Sequence, residues 1–156
     1  MQIKVLRTSP TAKLPSKAHD SDTGYDLFLS EDVTLGLTPI ACPTGIKLII
    51  PKGYWVRFME KSGKALKGIQ IHGGVIDEGF TGSLKVIACL GLPLEVDKEA
   101  KTILNPVLSL KAGEAICQFS VERLEVVDLI EIDESTFEVE EQAKTRKAGG
   151  FGSTGR

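Results

Sequence analysis

The sequence has no apolar run near the ~20 residues that a membrane-spanning helix needs. It also has no run of Lys or Arg, and its formal net charge is −2. It therefore offers no track for a phosphate backbone and no general attraction to nucleic acid or an anionic membrane. Cysteine is scarce: Cys42, Cys89 and Cys117 lie far apart, each in an apolar run, with no C-x-x-C pair. Only His19 and His72 could add imidazole ligands. That set argues against a zinc site and predicts buried free thiols. No G-x-x-x-x-G-K-[ST] follows a strand, which excludes the P-loop NTPase arrangement. The first ten residues carry Lys4 and Arg7 among their apolar positions and contain no signal-peptide core. The protein is expected to be soluble, intracellular and cytoplasmic.

A long segment of period 3.6 is missing too, and so is any repeat of 20–50 residues. What is present is a succession of short β-type runs: Gln2–Leu6, Gly24–Leu29, Val33–Leu35, Ile46–Ile50, Tyr54–Met59, Ser83–Leu90, Ile103–Leu110, Ala115–Val121 and Glu125–Ile132. Turn markers separate them at Gly36, Pro43 and Pro51–Gly53. Regular short strands with Gly/Pro punctuation predict an all-β sandwich or barrel. Helix is confined to Ser62–Lys67 and Glu134–Lys144. A chain of 156 residues fits one core. The composition shifts after Ile132, so residues 1–132 are read as the β-domain and 133–156 as a C-terminal arm.

Three stretches could carry chemistry. Gly73–Gly82 brackets Val75 and Ile76 with glycine pairs and predicts a tight hairpin with Asp77 at its bend and Phe80 three residues on. Alone it reads first as an ordinary hairpin with a solvated aspartate. Bare backbone donors and acceptors, one carboxylate and one aromatic face would also suit a planar heterocycle beside a reactive group. Lys61-Ser62-Gly63 follows a strand, and Ser62 can cap a short helix whose first N–H groups favour an anion. The chain ends Gly149-Gly150-Phe151-Gly152-Ser153-Thr154-Gly155-Arg156. Such a segment cannot build a core; it frays, or it serves as a lid with one ring and two hydroxyls.

Taken together, these stretches resemble the trimeric dUTP pyrophosphatases, the dUTPases, whose five motifs occur in fixed order. Gly24-Tyr25-Asp26-Leu27-Phe28 resembles the first, and Lys61-Ser62-Gly63 with Ala65 to Gly68 the second. Gly74 to Gly82 resembles the third, Gly113-Glu114-Ala115-Ile116-Cys117-Gln118 the fourth, and Arg146 with Gly149 to Gly155 the fifth. The third and fifth are the specific ones. The resemblance implies a jelly-roll-like β-barrel, a homotrimer with each site drawing on all three chains, and hydrolysis of dUTP to dUMP and pyrophosphate.

Roles follow by position. Asp77 is implied to activate the attacking water. Gly74, Val75 and Ile76 would read the uracil edge, and Phe80 would pack on deoxyribose. Lys61, Ser62, Gly63, Lys85 and Gln118 would bind substrate, chiefly on the phosphate side. Asp26 would hold Mg²⁺ through water. Phe151 would stack over the base, with Arg146, Gly152, Ser153 and Thr154 near the phosphates. Departures are Phe80 for the usual tyrosine, Lys61 and Ala115 for usual arginines, and Lys147-Ala148 for the usual Gly-x. dCTP deamination on the same fold needs a glutamate on the strand after the third motif, and Ser83–Ala88 has none. A regulatory protein partner, as in viral and phage relatives of the fold, would find an extra surface at Leu92–Pro106.

Overall fold

The computed structural model describes residues 2–91, 96–97, 102–103 and 106–144. The chain divides into two units, residues 1–125 and 126–156. The first contains β1 (Lys4–Arg7), β2 (Tyr25–Phe28), β3 (Val33–Leu35), β4 (Ile40–Pro43), β5 (Ile46–Ile49), β6 (Tyr54–Met59) and α1 (Ser62–Ala65). It continues with β7 (Ile69–His72), β8 (Val75–Ile76), β9 (Lys85–Leu90), β10 (Val96–Asp97), β11 (Thr102–Ile103), β12 (Leu108–Leu110) and β13 (Ala115–Arg123). The strand order is β2-β13-β6-β8 in one sheet and β4-β9-β7 in another, with the pairs β1-β5, β12-β3 and β10-β11 completing the unit. Every pair among the described residues is antiparallel.

Period-two alternation decides which face goes inward. On β6, Val56 and Phe58 are buried while Arg57 between them is exposed. On β9, Val86, Ala88 and Leu90 are buried while Lys85 and Ile87 face out. These join Leu27, Leu29, Leu35, Ile46, Leu48, Ile69, Leu84 and Ile116 in one core. Thr44 is buried there without penalty, because its hydroxyl donates to the Leu84 carbonyl at 2.8 Å and accepts from the Ile46 amide at 3.3 Å. Cys42, Cys89 and Cys117 are buried free thiols. Burial pushes the Cys42 thiol up to about 11, and burial followed by the nearby Asp26 carboxylate pushes Cys117 up as well.

Four expectations need correction. Gly73–Gly82 turns but does not fold back on itself: β8 pairs with β6, whereas β9 pairs with β4 and β7 in the other sheet. The glycines report a reversal of direction, not the choice of sheet. The run Ile103–Leu110 is two strands, β11 and β12, with Pro106, which has no N–H for a ladder, between them. β4 follows Pro39 and ends on Pro43, which reads in the sequence as a turn marker, and β7 lies between Gly68 and Gly73, so neither stands out as a strand. Finally, Glu125–Ile132 forms no strand, and Val126, Leu129 and Ile130 are 88%, 94% and 79% exposed. Its β-forming residues are real, but a strand also needs an edge to pair with.

In the second unit, α2 (Glu134–Gln142) starts at Asp133, whose Oδ1 accepts from the Thr136 amide at 2.8 Å. That cap holds the Asp133 carboxyl below its ordinary value, with the Thr136 amide the largest cause. No residue of α2 is buried. Among the described residues no helix is long and apolar enough to cross a membrane.

Candidate active site

β6 organises the site, and its two ends carry different chemistry. At the C-terminal end, the register places Met59 opposite Gln118 of β13, and Gln118 opposite Asp26 of β2. Lys61 lies just past the end of β6, and its ammonium pairs with the Asp26 carboxylate. Gln118 Nε2 donates to the Glu60 carbonyl at 2.9 Å, which fixes the amide beside that pair. Gly24 makes room for it: a Cβ there would collide with Gln118 Oε1 and lie 2.8 Å from Cδ. Residues of the first, second and fourth motifs thus meet in one group.

α1 begins at Ser62, but Ser62 is not its cap. Lys61 occupies the N-cap position and makes no side-chain capping bond. The Ser62 and Gly63 amides head the helix, where no preceding turn can take them. The helix is held by a residue to which no role fell in the sequence. Glu114 Oε2 accepts from Lys64 Nζ at 2.9 Å, and its Oε1 accepts from the Lys111 amide at 2.7 Å. The Lys111 amide first, and the Lys64 ammonium second, keep the Glu114 carboxyl below its ordinary value. Asp32 braces the same turn through Lys111 Nζ at 2.8 Å and the Ala112 amide at 2.9 Å.

The third motif attaches along the middle of β6 and runs towards its N-terminal end. β8 pairs Val75 with Arg57 and Ile76 with Val56, and the Phe58 amide donates to Gly74 O at 2.7 Å. Gly74 is required by this approach, since a Cβ would sit 2.9 Å from the Phe58 carbonyl oxygen. Asp77 and Phe80 then close a turn, with the Phe80 amide donating to Asp77 O at 3.0 Å. Gly82 leaves space for the Phe80 ring, which would lie 2.7 Å from an added Cβ. Asp77 itself is exposed.

The register fixes how far apart these groups are. Asp77 follows the Ile76–Val56 pair, so it lies level with Trp55, while the Lys61 group lies beyond Met59. The four steps of strand from Trp55 to Met59 span roughly 13 Å, and Lys61 lies two residues further on. One chain therefore brings Asp26, Lys61 and Gln118 together but does not bring Asp77 to them. Lys85 sits on β9, exposed and in register with Pro43, in the other sheet. Arg146, Phe151, Gly152, Ser153 and Thr154 lie outside the described residues. Glu78, to which sequence reasoning gave no part, accepts from the Gly53 amide at 2.7 Å. The signal for it is spatial, since the partner is 25 positions away.

The antiparallel β-fold that carries these groups is shared with solved phage proteins. The Staphylococcus bacteriophage 80alpha dUTPase with dUPNHPP superimposes with a TM-score of 0.80 at 25% identity, over 99% of both chains. The phage phi11 dUTPase from S. aureus, in a mutant form solved to reveal coordination of a structural Mg(II) ion, gives 0.70 at 23% identity, over 86% of this chain and 98% of that one. In sequence, the deoxyuridine 5′-triphosphate nucleotidohydrolase of Solibacter usitatus is 38% identical, over 100% of this chain and 97% of that protein. The dUTPase family profile matches residues 11–93, and the chain belongs to the dUTPase family.

Proposed function

We propose that this chain hydrolyses dUTP to dUMP and pyrophosphate at a site assembled from several copies of itself. The observation that carries this reading is the separation along β6. Each chain presents two half-sites facing different ends, and a homotrimer lets Asp77 of one chain meet Lys61, Ser62, Gly63, Gln118 and Asp26 of another. The exposed apolar positions Val126, Leu129 and Ile130 give a neighbouring chain something to bury. The arm from residue 133 onward then supplies Arg146, Phe151, Gly152, Ser153 and Thr154 to a site on a neighbour.

In the assembled site, the main chain of Gly74, Val75 and Ile76 reads the uracil edge. Its donors and acceptors have fixed polarity, so cytosine's amino group meets the wrong partner. The Phe80 ring packs on deoxyribose and leaves no room for a 2′-hydroxyl. Asp77 accepts a hydrogen bond from a water molecule and takes its proton as the oxygen bonds to the α-phosphorus. The bond from that phosphorus to the α–β bridging oxygen breaks, and pyrophosphate leaves.

Without nucleotide, Lys61 and Asp26 neutralise one another. An incoming triphosphate carrying a divalent cation offers each a new partner: phosphate for Lys61, and the cation's water shell for Asp26. The donor chemistry fits Mg²⁺, because Asp26 is a hard oxygen ligand. No group of three or more metal-ligating side chains exists among the described residues, as suits an ion held largely by phosphates and water. When bound, Mg²⁺ supplies charge neutralisation to the phosphate oxygens.

Two tests follow. With Mg²⁺ and each of dUTP, dCTP, dTTP, dATP and dGTP, pyrophosphate should appear from dUTP alone. Release from all five, or from none, would contradict the reading, and ammonia from dCTP would favour deamination. Separately, Gly24→Ala should displace Gln118 and lower kcat/KM for dUTP by about ten- to a hundredfold, since small misplacements in a site cost that much. Steady-state kinetics beside a melting curve would check it; unchanged kcat/KM would remove Gln118 from the phosphate side. The 80alpha phage dUTPases control transfer of virulence genes. A comparable regulatory partner for this chain would have Leu92–Pro106 as its candidate surface, most of which lies outside the described residues.

A further inference from the structure

The Asp77 turn is attached to the sheet by little. β8 is two residues long, Gly79 has open space around it, and the turn closes through one hydrogen bond, from the Phe80 amide to Asp77 O. A carboxylate on so slight a support would sample many orientations unless something else fixed the turn. Glu78 is that support. It is half-buried where Asp77 is exposed, and its Oε2 accepts the Gly53 amide at 2.7 Å, a charge-assisted bond.

Gly53 is a firm anchor. It sits at φ +80°, in the turn that leads into β6, and its carbonyl accepts from the Leu124 amide at 2.9 Å just past β13. Both polar groups of this one residue are thus used, one for each of two distant segments. β6 runs on directly from it, so the Asp77 turn is held at both ends to the same strand: by Gly74 O at Phe58 and by Glu78 at Gly53. With Glu78 drawn into that bond, its charge is also kept from competing with Asp77 for water.

We propose that Glu78 is a positioning residue for Asp77, acting through the Gly53 amide rather than by touching substrate. This inference rests on the catalytic reading of Asp77 given above. The test compares wild type, Glu78→Ala and Glu78→Gln. Glutamine keeps an oxygen that can accept the Gly53 amide, whereas alanine removes the acceptor. Expected for Glu78→Ala is a fall in kcat for dUTP of about ten- to a hundredfold with KM changed less than about threefold, because the water's partner is misplaced while the binding groups are intact. Glu78→Gln should recover kcat to within about threefold of wild type, as a neutral acceptor keeps the bond's geometry at roughly half its strength. Hydrogen exchange without nucleotide gives an independent readout: the Gly53 amide should lose protection in Glu78→Ala and keep it in Glu78→Gln.

A kcat split with rescue by glutamine supports positioning, whereas damage to the fold alone would lower the active fraction and the melting temperature together. The proposal is overturned if Glu78→Ala keeps wild-type kcat, if glutamine fails as badly as alanine, or if Gly53 exchange is the same in all three proteins. Wild-type turnover in the same assay separates these outcomes from failure of the catalytic reading: an inactive wild type whose Gly53 amide responds as expected sinks the reaction, not the bond.

Discussion

Asp77→Asn should lower kcat for dUTP by about 10²–10⁴-fold, the range that a positioned general base supplies. The substitution is nearly isosteric, and it leaves the turn alone, because the turn closes through the backbone carbonyl of residue 77 and not through the side chain. Among the described residues the Asp77 carboxylate accepts no hydrogen bond and forms no ion pair, so its removal strands no partner and breaks no packing. The melting temperature should therefore stay put. KM should change by no more than a few-fold, since the proposed reading gives the uracil to the main chain and the phosphates to the Lys61–Gln118 group. A loss confined to kcat would mark a group used in the transition state and not in binding. Full turnover in Asp77→Asn would mean that another base does the work.

Much of the fold was legible, and the reason is local. Tyr54–Met59 and Val33–Leu35 are β-type runs between flanking turn residues, and both are strands with the expected ends. Helix was expected only near Ser62 and near Glu134, and α1 and α2 begin at those residues. Misreadings arose where the deciding partner is distant. Glu125–Ile132 has a strand's pattern, but pattern does not supply an edge. Val75–Ile76 looked like half of a hairpin, yet it belongs with β6 rather than with the strand that follows it. Ser62 resembles a cap because its chemistry allows it, but the backbone places Lys61 there.

The site divides in the same way. Asp26, Lys61, Gln118 and Asp77 could be named from motifs carried by family resemblance. That the first three converge, through the Lys61–Asp26 pair and the Gln118–Glu60 bond, required the β2-β13-β6 register. Glu114 and Glu78 escaped notice because each acts on a residue tens of positions away, Lys64 and Gly53, by contacts that no spacing rule encodes.

Subunit complementation should restore activity to two proteins that lack it. Asp77→Asn has lost the base; a Lys61→Ala/Gln118→Ala double variant should lose the phosphate-side group. If each site takes Asp77 from one chain and the Lys61–Gln118 group from another, random trimers from an equal mixture have both groups intact in about a quarter of their sites, the product of two chances of one half in a symmetric ring. If both came from one chain, no mixed trimer could contain an intact site. The roughly 13 Å of β6 between the levels of Asp77 and Gln118 favours the first case. Co-expressing the two variants with different affinity tags, purifying trimers through both tags in turn and measuring pyrophosphate released from dUTP decides it. The account predicts turnover of about a third of wild type, because every double-tagged trimer is mixed and has one intact site in three; mixed trimers no more active than either parent alone would contradict it.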